Sequence, residues 1–129
     1  MTSFEQELQK HGSVVFTHRD ETMRPLLRKN RDVVLIEQRG TERCRKYDTV
    51  FFKQDSGRYG LQRIVKVLDD GYEIIGDNCT EGMCVREDQI LGVLRAVRRN
   101  GKTIRVNDPG YRFYVRFLRP ICRILIRPR

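Results

Sequence analysis

Short apolar runs alternate with turn-forming residues along most of this 129-residue chain. Each run is too short for a typical helix, and Gly, Asn, Asp or Ser residues, which favour turns, separate the runs. Asn100-Gly101 between two apolar runs is a strong signal for a two-residue hairpin. The pattern predicts a mainly β, antiparallel fold. The predicted strands are Val14–Phe16, Asp32–Glu37, Asp48–Lys53, Tyr59–Leu68, Tyr72–Ile75, Ile90–Arg98 and Thr103–Val106.

The two ends of the chain favour helices instead. Thr2 or Ser3 caps a short predicted helix that runs to about Lys10 and stops at Gly12. Near the C-terminus, five arginines fall on one narrow stripe of a helical wheel, and apolar residues fill the rest of it. Pro120 is expected to kink this basic amphipathic helix or to split it in two. We therefore divide the chain into a β domain at residues 1–108 and a tail at 109–129. The stripe consists of Arg112, Arg116, Arg119, Arg123 and Arg127.

The net charge of +9 is concentrated at the C-terminal end. Residues 1–88 hold 15 Lys and Arg against 16 Asp and Glu, whereas residues 89–129 hold 11 against one. We expect an acidic partner to meet that end of the chain. For the tail itself, packing on the chain's own sheet, contact with an anionic membrane surface and a homodimer interface are the three alternatives.

Several classes of protein are excluded by composition. No run approaches the roughly 18 to 20 apolar residues of a membrane-spanning helix. Met1–Lys10 contains two glutamates and no apolar stretch, so we do not expect a secretory signal. The expected location is the cytoplasm, or the periphery of the inner membrane face. The four cysteines lack the Cys-x-x-Cys spacing of a zinc site, and we expect no metal or cofactor. Free thiols are favoured over a Cys79–Cys84 bridge.

Three segments carry the chemistry. They are Glu21-Thr22-Met23-Arg24-Pro25, Leu61-Gln62-Arg63 and Gly76-Asp77-Asn78. Their order and spacing resemble the signal peptidase I and SOS-repressor self-cleavage clan of serine peptidases. That clan has a Ser-Met-x-Pro nucleophile segment, a later strand with Lys or His followed by Arg, and a Gly-Asp-Asn turn. The resemblance covers about Val14 to Val93. It implies coiled antiparallel sheets of the signal-peptidase and repressor type, with a groove for an extended peptide.

The resemblance also implies roles for individual residues. Thr22 stands at the nucleophile position and Gln62 at the position of the base. Asp77 matches the acidic residue that orients the base or shapes the site. Arg63 either contacts the substrate or serves as a structural charge. The implied substrate-binding residues are Met23, Pro25 and Arg63.

The two substitutions at the catalytic positions predict a loss of activity. The extra methyl of Thr22 crowds its hydroxyl. An uncharged amide such as that of Gln62 cannot accept a proton. Lys66 lies four residues further along the same strand, roughly 13 Å away at about 3.3 Å per residue. Lys53, on another strand, remains a candidate for the general base. The sequence therefore predicts a catalytically degenerate peptidase homologue that retains a cleft for a peptide or protein segment.

Two alternatives remain at this point. One is a slow endopeptidase that uses Thr22 as its nucleophile. The other is a binder of nucleic acid or of an anionic membrane through the basic C-terminal region. Nucleic acid is the less favoured ligand because few aromatic residues lie between those charges. The charges outside the tail are Arg95, Arg98, Arg99, Lys102 and Arg105.

Overall fold

One antiparallel sheet forms most of the protein. The structure, a computed structural model, describes residues 4–17, 32–77, 79, 81–99 and 101–118. Its strands are β1 (Ser13–Thr17), β2 (Val33–Gln38), β3 (Thr49–Lys53), β4 (Tyr59–Val67), β5 (Gly71–Ile75), β6 (Met83–Arg86), β7 (Ile90–Arg99) and β8 (Lys102–Arg105). The order in the sheet is β1-β2-β7-β3-β4-β5-β6, and β8 pairs with β7. The predicted mainly β, antiparallel class is confirmed.

Helical segments lie at both ends of the described chain. Helix α1 (Phe4–His11) ends where Gly12 adopts a φ of +76°, as the sequence predicts. Helix α2 (Pro109–Phe113) continues into a π-helical turn at Tyr114–Leu118. The remainder of the predicted C-terminal helix, from residue 119 onward, lies outside the described residues. No helix in the described part of the chain is long and apolar enough to cross a membrane.

The sheet has an apolar core on each face. Strand β3 is buried on both faces because Val50 and Phe52 point to one side and Phe51 to the other. We call the face of Phe51 the helix-side core, because residues of α1 and α2 pack there. Its buried members are Leu8, Val34, Ile36, Phe51, Leu61, Leu94, Val97, Tyr111 and Val115. The opposite core consists of Cys44, Val50, Phe52, Ile64, Tyr72, Ile74, Val85, Ile90 and Val93.

Tyr111 and Val115 belong to the helix-side core, so the described part of the tail packs on the chain's own sheet. Of the three alternatives for the tail, this is the one that the described residues show. Arg112 and Arg116 lie on the exposed side of the same segment. Among these four residues, Tyr111 and Val115 are thus buried, whereas Arg112 and Arg116 are exposed.

The segment between β5 and β7 contains elements that the sequence pattern did not predict. Strand β6 pairs with β5, and a short 3-10 helix at Glu87–Gln89 follows it. Only Val85 of the four residues in β6 is buried. A strand with one buried side chain has little apolar alternation, which explains why its sequence gives no clear signal.

Candidate functional site

Two of the three segments that carry the resemblance meet at a buried ion pair. Arg63 lies on β4, and Asp77 lies in the turn that follows β5. The Nε of Arg63 donates to Oδ1 of Asp77 at 2.9 Å, and a terminal amino group donates to Oδ2 at 3.0 Å. The side chains are 0% and 1% exposed. This bidentate geometry is the strongest form of an arginine–carboxylate pair, and it fixes the Gly76-Asp77 turn to the middle of β4.

The C-terminal helix and a loop complete the surroundings of this pair. The remaining amino group of Arg63 donates to the carbonyl oxygen of Tyr47 at 2.8 Å. The hydroxyl of Tyr114 donates to Oδ2 of Asp77 at 2.8 Å. The Arg63 guanidinium also lies over the ring of Tyr111, 5.9 Å from its centre. Burial alone would lower the pKa of Arg63, but Tyr111 and Asp77 outweigh it and raise that pKa above its usual value.

Gln62 faces the other side of the sheet. Side chains alternate along a strand, so Arg63 shares the helix-side face with Leu61, whereas Gln62 shares the opposite face with Ile64. Gln62 is half-buried and pairs in register with Val50. Asp77 therefore binds Arg63 on the face away from Gln62. Asp77 thus serves as the buried counter-charge of Arg63, and the Arg63 side chain is not exposed at the surface.

Several of the proposed site residues lie outside the described part of the chain. These are Thr22, Met23, Pro25, Arg119, Arg123 and Arg127. The expected proximity of Thr22 to Gln62 therefore also falls outside the described residues.

Lys53, the alternative candidate for the base, forms a hydrogen bond with Glu5. The Nζ of Lys53 donates to Oε1 of Glu5 at 2.9 Å. This hydrogen bond raises the pKa of Lys53, which is the wrong direction for a general base. Lys53 also lies three residues from Val50 and so projects from the face away from Gln62.

The pairing of β4 leaves a short stretch beside Gln62 bonded on one side only. Strand β3 pairs with residues 59–63 of β4, whereas β5 begins to pair at Arg63. Over Gly60–Gln62, no described strand pairs on the β5 side. Gly60 is required there because a Cβ at this position would lie 2.5 Å from the tip of the Phe52 ring. The Phe52 ring is fully buried and packs directly beneath Gly60.

Three residues of this region were missed by the sequence argument. The sequence pattern indicates no polar role for Tyr111 and Tyr114, but their hydroxyls reach the ion pair. The available signal was tyrosine, rather than phenylalanine, at two positions three residues apart on one helical face. Thr49 pairs in register with Arg63, and its hydroxyl is buried with no hydrogen-bond partner in the described structure.

Neither a metal centre nor a disulfide is found among the described residues. No group of three or more His, Cys, Asp or Glu side chains there is arranged to hold a metal ion. The described cysteines Cys44, Cys79 and Cys84 carry free thiols. Comparison of the chain with protein-family models, with curated proteins and with solved structures found no match.

Proposed function

We propose that the protein is a signal-peptidase-like domain that binds an extended peptide beside Gln62 and does not cleave it. The observation that carries this proposal is the Arg63–Asp77 pair, because it joins the Gln-Arg strand to the Gly-Asp-Asn turn. Two of the three sequence segments are physically linked in this way. Two segments 14 residues apart in the chain form one buried unit.

The pairing of β4 supports a peptide-binding role. An extended peptide binds a sheet by adding its own backbone hydrogen bonds along a strand, and it needs no nucleophile. Residues Gly60–Gln62 have a described partner on one side only, and Gly60 and Gln62 are both partly exposed. Gln62 supplies an amide that donates and accepts hydrogen bonds to a peptide.

The absence of turnover follows from the chemistry of the same position. Gln62 cannot take a proton from a hydroxyl, and Lys53 is held by Glu5 on the other face. General-base assistance is worth about a hundred- to ten-thousandfold, so a site without it should retain binding and lose most of its rate.

A synthetic signal peptide with an Ala-x-Ala motif provides the test, since small residues of this kind mark signal-peptide cleavage sites. We expect binding by the full chain, amide-exchange protection at residues 60–62, and an intact peptide by mass spectrometry after prolonged incubation. Gln62→Trp should abolish binding by placing a bulky side chain at the stretch of β4 that pairs on one side only. Lys66→Trp, at an exposed position further along β4, is the matched control and should bind like the wild type. Binding without protection of β4, or equal loss in both variants, contradicts the proposal.

A further inference from the structure

A groove of about 1110 Å³ is lined by residues of both cores, among them Leu94 and Tyr111 of the helix-side core and Cys44 and Val93 of the opposite core. One wall is the loop at residues 39–48, and the other is the C-terminal segment from Tyr111 to Arg116. Residues of β7, including Leu94, form its floor. Gln62 is not among the described residues that line it, so the groove is distinct from the surface proposed above for the extended peptide.

The groove is strongly basic. Seven basic side chains and three acidic ones line it. Two of the basic ones, Arg39 and Arg43, are bound to Glu87 and hold the loop in place. Three others make no ion pair with any described residue, and they lie on both walls: Arg45 on the loop, and Arg112 and Arg116 one helical turn apart on the C-terminal segment. These three guanidinium groups are exposed and available to a ligand.

The floor of the groove distinguishes between anionic ligands. Its aliphatic lining residues are Val93, Leu94 and Val106, of which Val93 and Leu94 are buried and Val106 is partly exposed. Single-stranded nucleic acid is bound by stacking its bases on exposed aromatic rings. Tyr47 is the exposed aromatic residue of the described lining, at 41%, and the ammonium of Lys46 lies over its ring at 5.0 Å. A membrane surface would meet the rims of the groove but not its floor. Carboxylates together with apolar side chains fit both parts of the surface.

We propose that this basic groove binds an acidic peptide segment of a partner protein. Its carboxylates pair with Arg45, Arg112 and Arg116, and an apolar side chain of the peptide packs on Val106, which is partly exposed. Arginine suits this task because its planar group accepts a carboxylate through two hydrogen bonds at once. The proposal is independent of the peptide surface beside Gln62, because the two surfaces share no lining residue that carries either argument.

Fluorescence anisotropy with a labelled peptide of alternating glutamate and leucine tests the proposal on the full chain. At about 0.15 M salt, where exposed charges are well screened, binding should depend on specific contacts. Arg112→Glu combined with Arg116→Glu should weaken it by about tenfold or more, since charge reversal replaces attraction by repulsion. The matched control, Arg98→Glu with Lys102→Glu, changes the net charge equally at exposed positions that do not line the groove, and should weaken binding less than about threefold. A photoreactive group in the peptide should cross-link to residues 39–48 or 111–116.

Four results overturn the proposal. If both double variants weaken peptide binding equally, the peptide is attracted by the overall positive charge and not by a specific site. An oligothymidylate, or vesicles of anionic lipid, that compete with the peptide and bind at least as tightly show that the groove serves nucleic acid or a membrane. An alternating lysine and leucine peptide that binds equally well shows that the carboxylates are irrelevant. A tenfold gain in affinity when Asp20→Asn and Glu21→Gln are combined shows that the chain's own acidic segment occupies the groove.

Discussion

Arg63 and Asp77 are joined by two hydrogen bonds of 2.9 and 3.0 Å, and neither side chain is exposed by more than 1%. Arg63 comes from the middle of a strand, and Asp77 comes from a turn. Tyr111 and Tyr114 bring the C-terminal helix to the same pair. One buried interaction thus holds together three parts of the chain that are distant in sequence. Variants that break this pair should therefore destabilise the fold.

Removal of one partner of the ion pair should strongly destabilise the fold. Asp77→Asn leaves the Arg63 guanidinium buried without a counter-charge, and breaking a buried pair in this way costs about 3 to 5 kcal/mol. Urea denaturation followed by circular dichroism measures the change. The control is Asp55→Asn, which breaks an exposed pair with Arg86 and should leave the midpoint within experimental scatter. A shift of similar size in both variants would contradict a special role for the buried pair.

Tyr114→Phe should loosen the C-terminal segment. The substitution removes a hydrogen bond to a charged acceptor, which costs about 1.5 to 3 kcal/mol, while Arg63 still holds the carboxylate. Amide exchange across residues 109–118 should become faster. Tyr59→Phe removes a comparable bond to Glu5 at a more exposed position and should leave exchange in 109–118 unchanged. Unaltered exchange in Tyr114→Phe would show that the hydroxyl does not anchor the helix.

Glu87 should make the stability of the protein sensitive to acid. Burial raises the pKa of its carboxyl, but hydrogen bonds from Tyr72, Arg39 and Arg43 outweigh it and lower the pKa to about 2 from an ordinary 4.5. A carboxyl with a depressed folded pKa stabilises the fold above its unfolded pKa, and this contribution is lost as pH falls from 4.5 towards 2. The stability difference between wild type and Glu87→Gln should therefore shrink over that window. Glu73→Gln, at an exposed position, is the control, and a stability difference that shrinks equally in this variant would contradict the role of Glu87.

A side chain at position 60 should disturb the packing around Gln62. A Cβ there would lie 2.5 and 2.9 Å from two ring carbons of Phe52, so Gly60→Ala must displace the ring. Overpacking of this kind costs about 1 to 3 kcal/mol. Gly40→Ala meets no atom within 4 Å and is the control. Equal stability of the two variants by thermal denaturation would show that the ring moves without cost.

Local sequence signals were sufficient for most of the strands and for the mainly β class. Alternation and turn residues predicted seven strands with ends close to those observed, and β7 and β8, which flank the predicted hairpin turn in the sequence, pair with each other. Strand β6 was not predicted because its sequence lacks apolar alternation, and its formation depends on pairing with β5. The helix-side and opposite cores were implicit in the apolar run of β3, since a strand that is buried on both faces shows no alternation.

The site was predictable only in part. Successive side chains of a strand point to opposite faces, so the sequence alone places Arg63 and Gln62 on opposite faces of the sheet. Two residues on opposite faces do not both line the same cleft. The pairing of Arg63 with Asp77 depends on the register of β4 against β5, which a local pattern does not determine. The approach of Tyr114 to Asp77 depends on where the C-terminal helix packs, and that is a property of the whole core.

Because Asp77 is paired with Arg63, we expect lysine to be a better base than histidine at position 62 of a reconstituted active site. Thr22→Ser combined with Gln62→Lys should restore slow peptide cleavage and labelling by a serine-directed phosphonate. A histidine at position 62 needs a carboxylate to orient its ring, and Asp77 is bound to Arg63 on the other face. Thr22→Ser with Gln62→His should therefore recover less activity. Each single change should recover far less than the lysine pair, because nucleophile and base act as a unit.

Intact-mass detection of the phosphonate adduct at position 22 distinguishes the outcomes. If the histidine pair is the more active, Asp77 or another group orients the imidazole, and our assignment of Asp77 to a structural role is wrong. If wild type already cleaves and Thr22→Ala abolishes cleavage, the protein is an active peptidase with a base other than Gln62 or Lys53. If both pairs fold with wild-type stability and neither reacts, the resemblance extends to the strand and the turn but not to the geometry that a nucleophile requires.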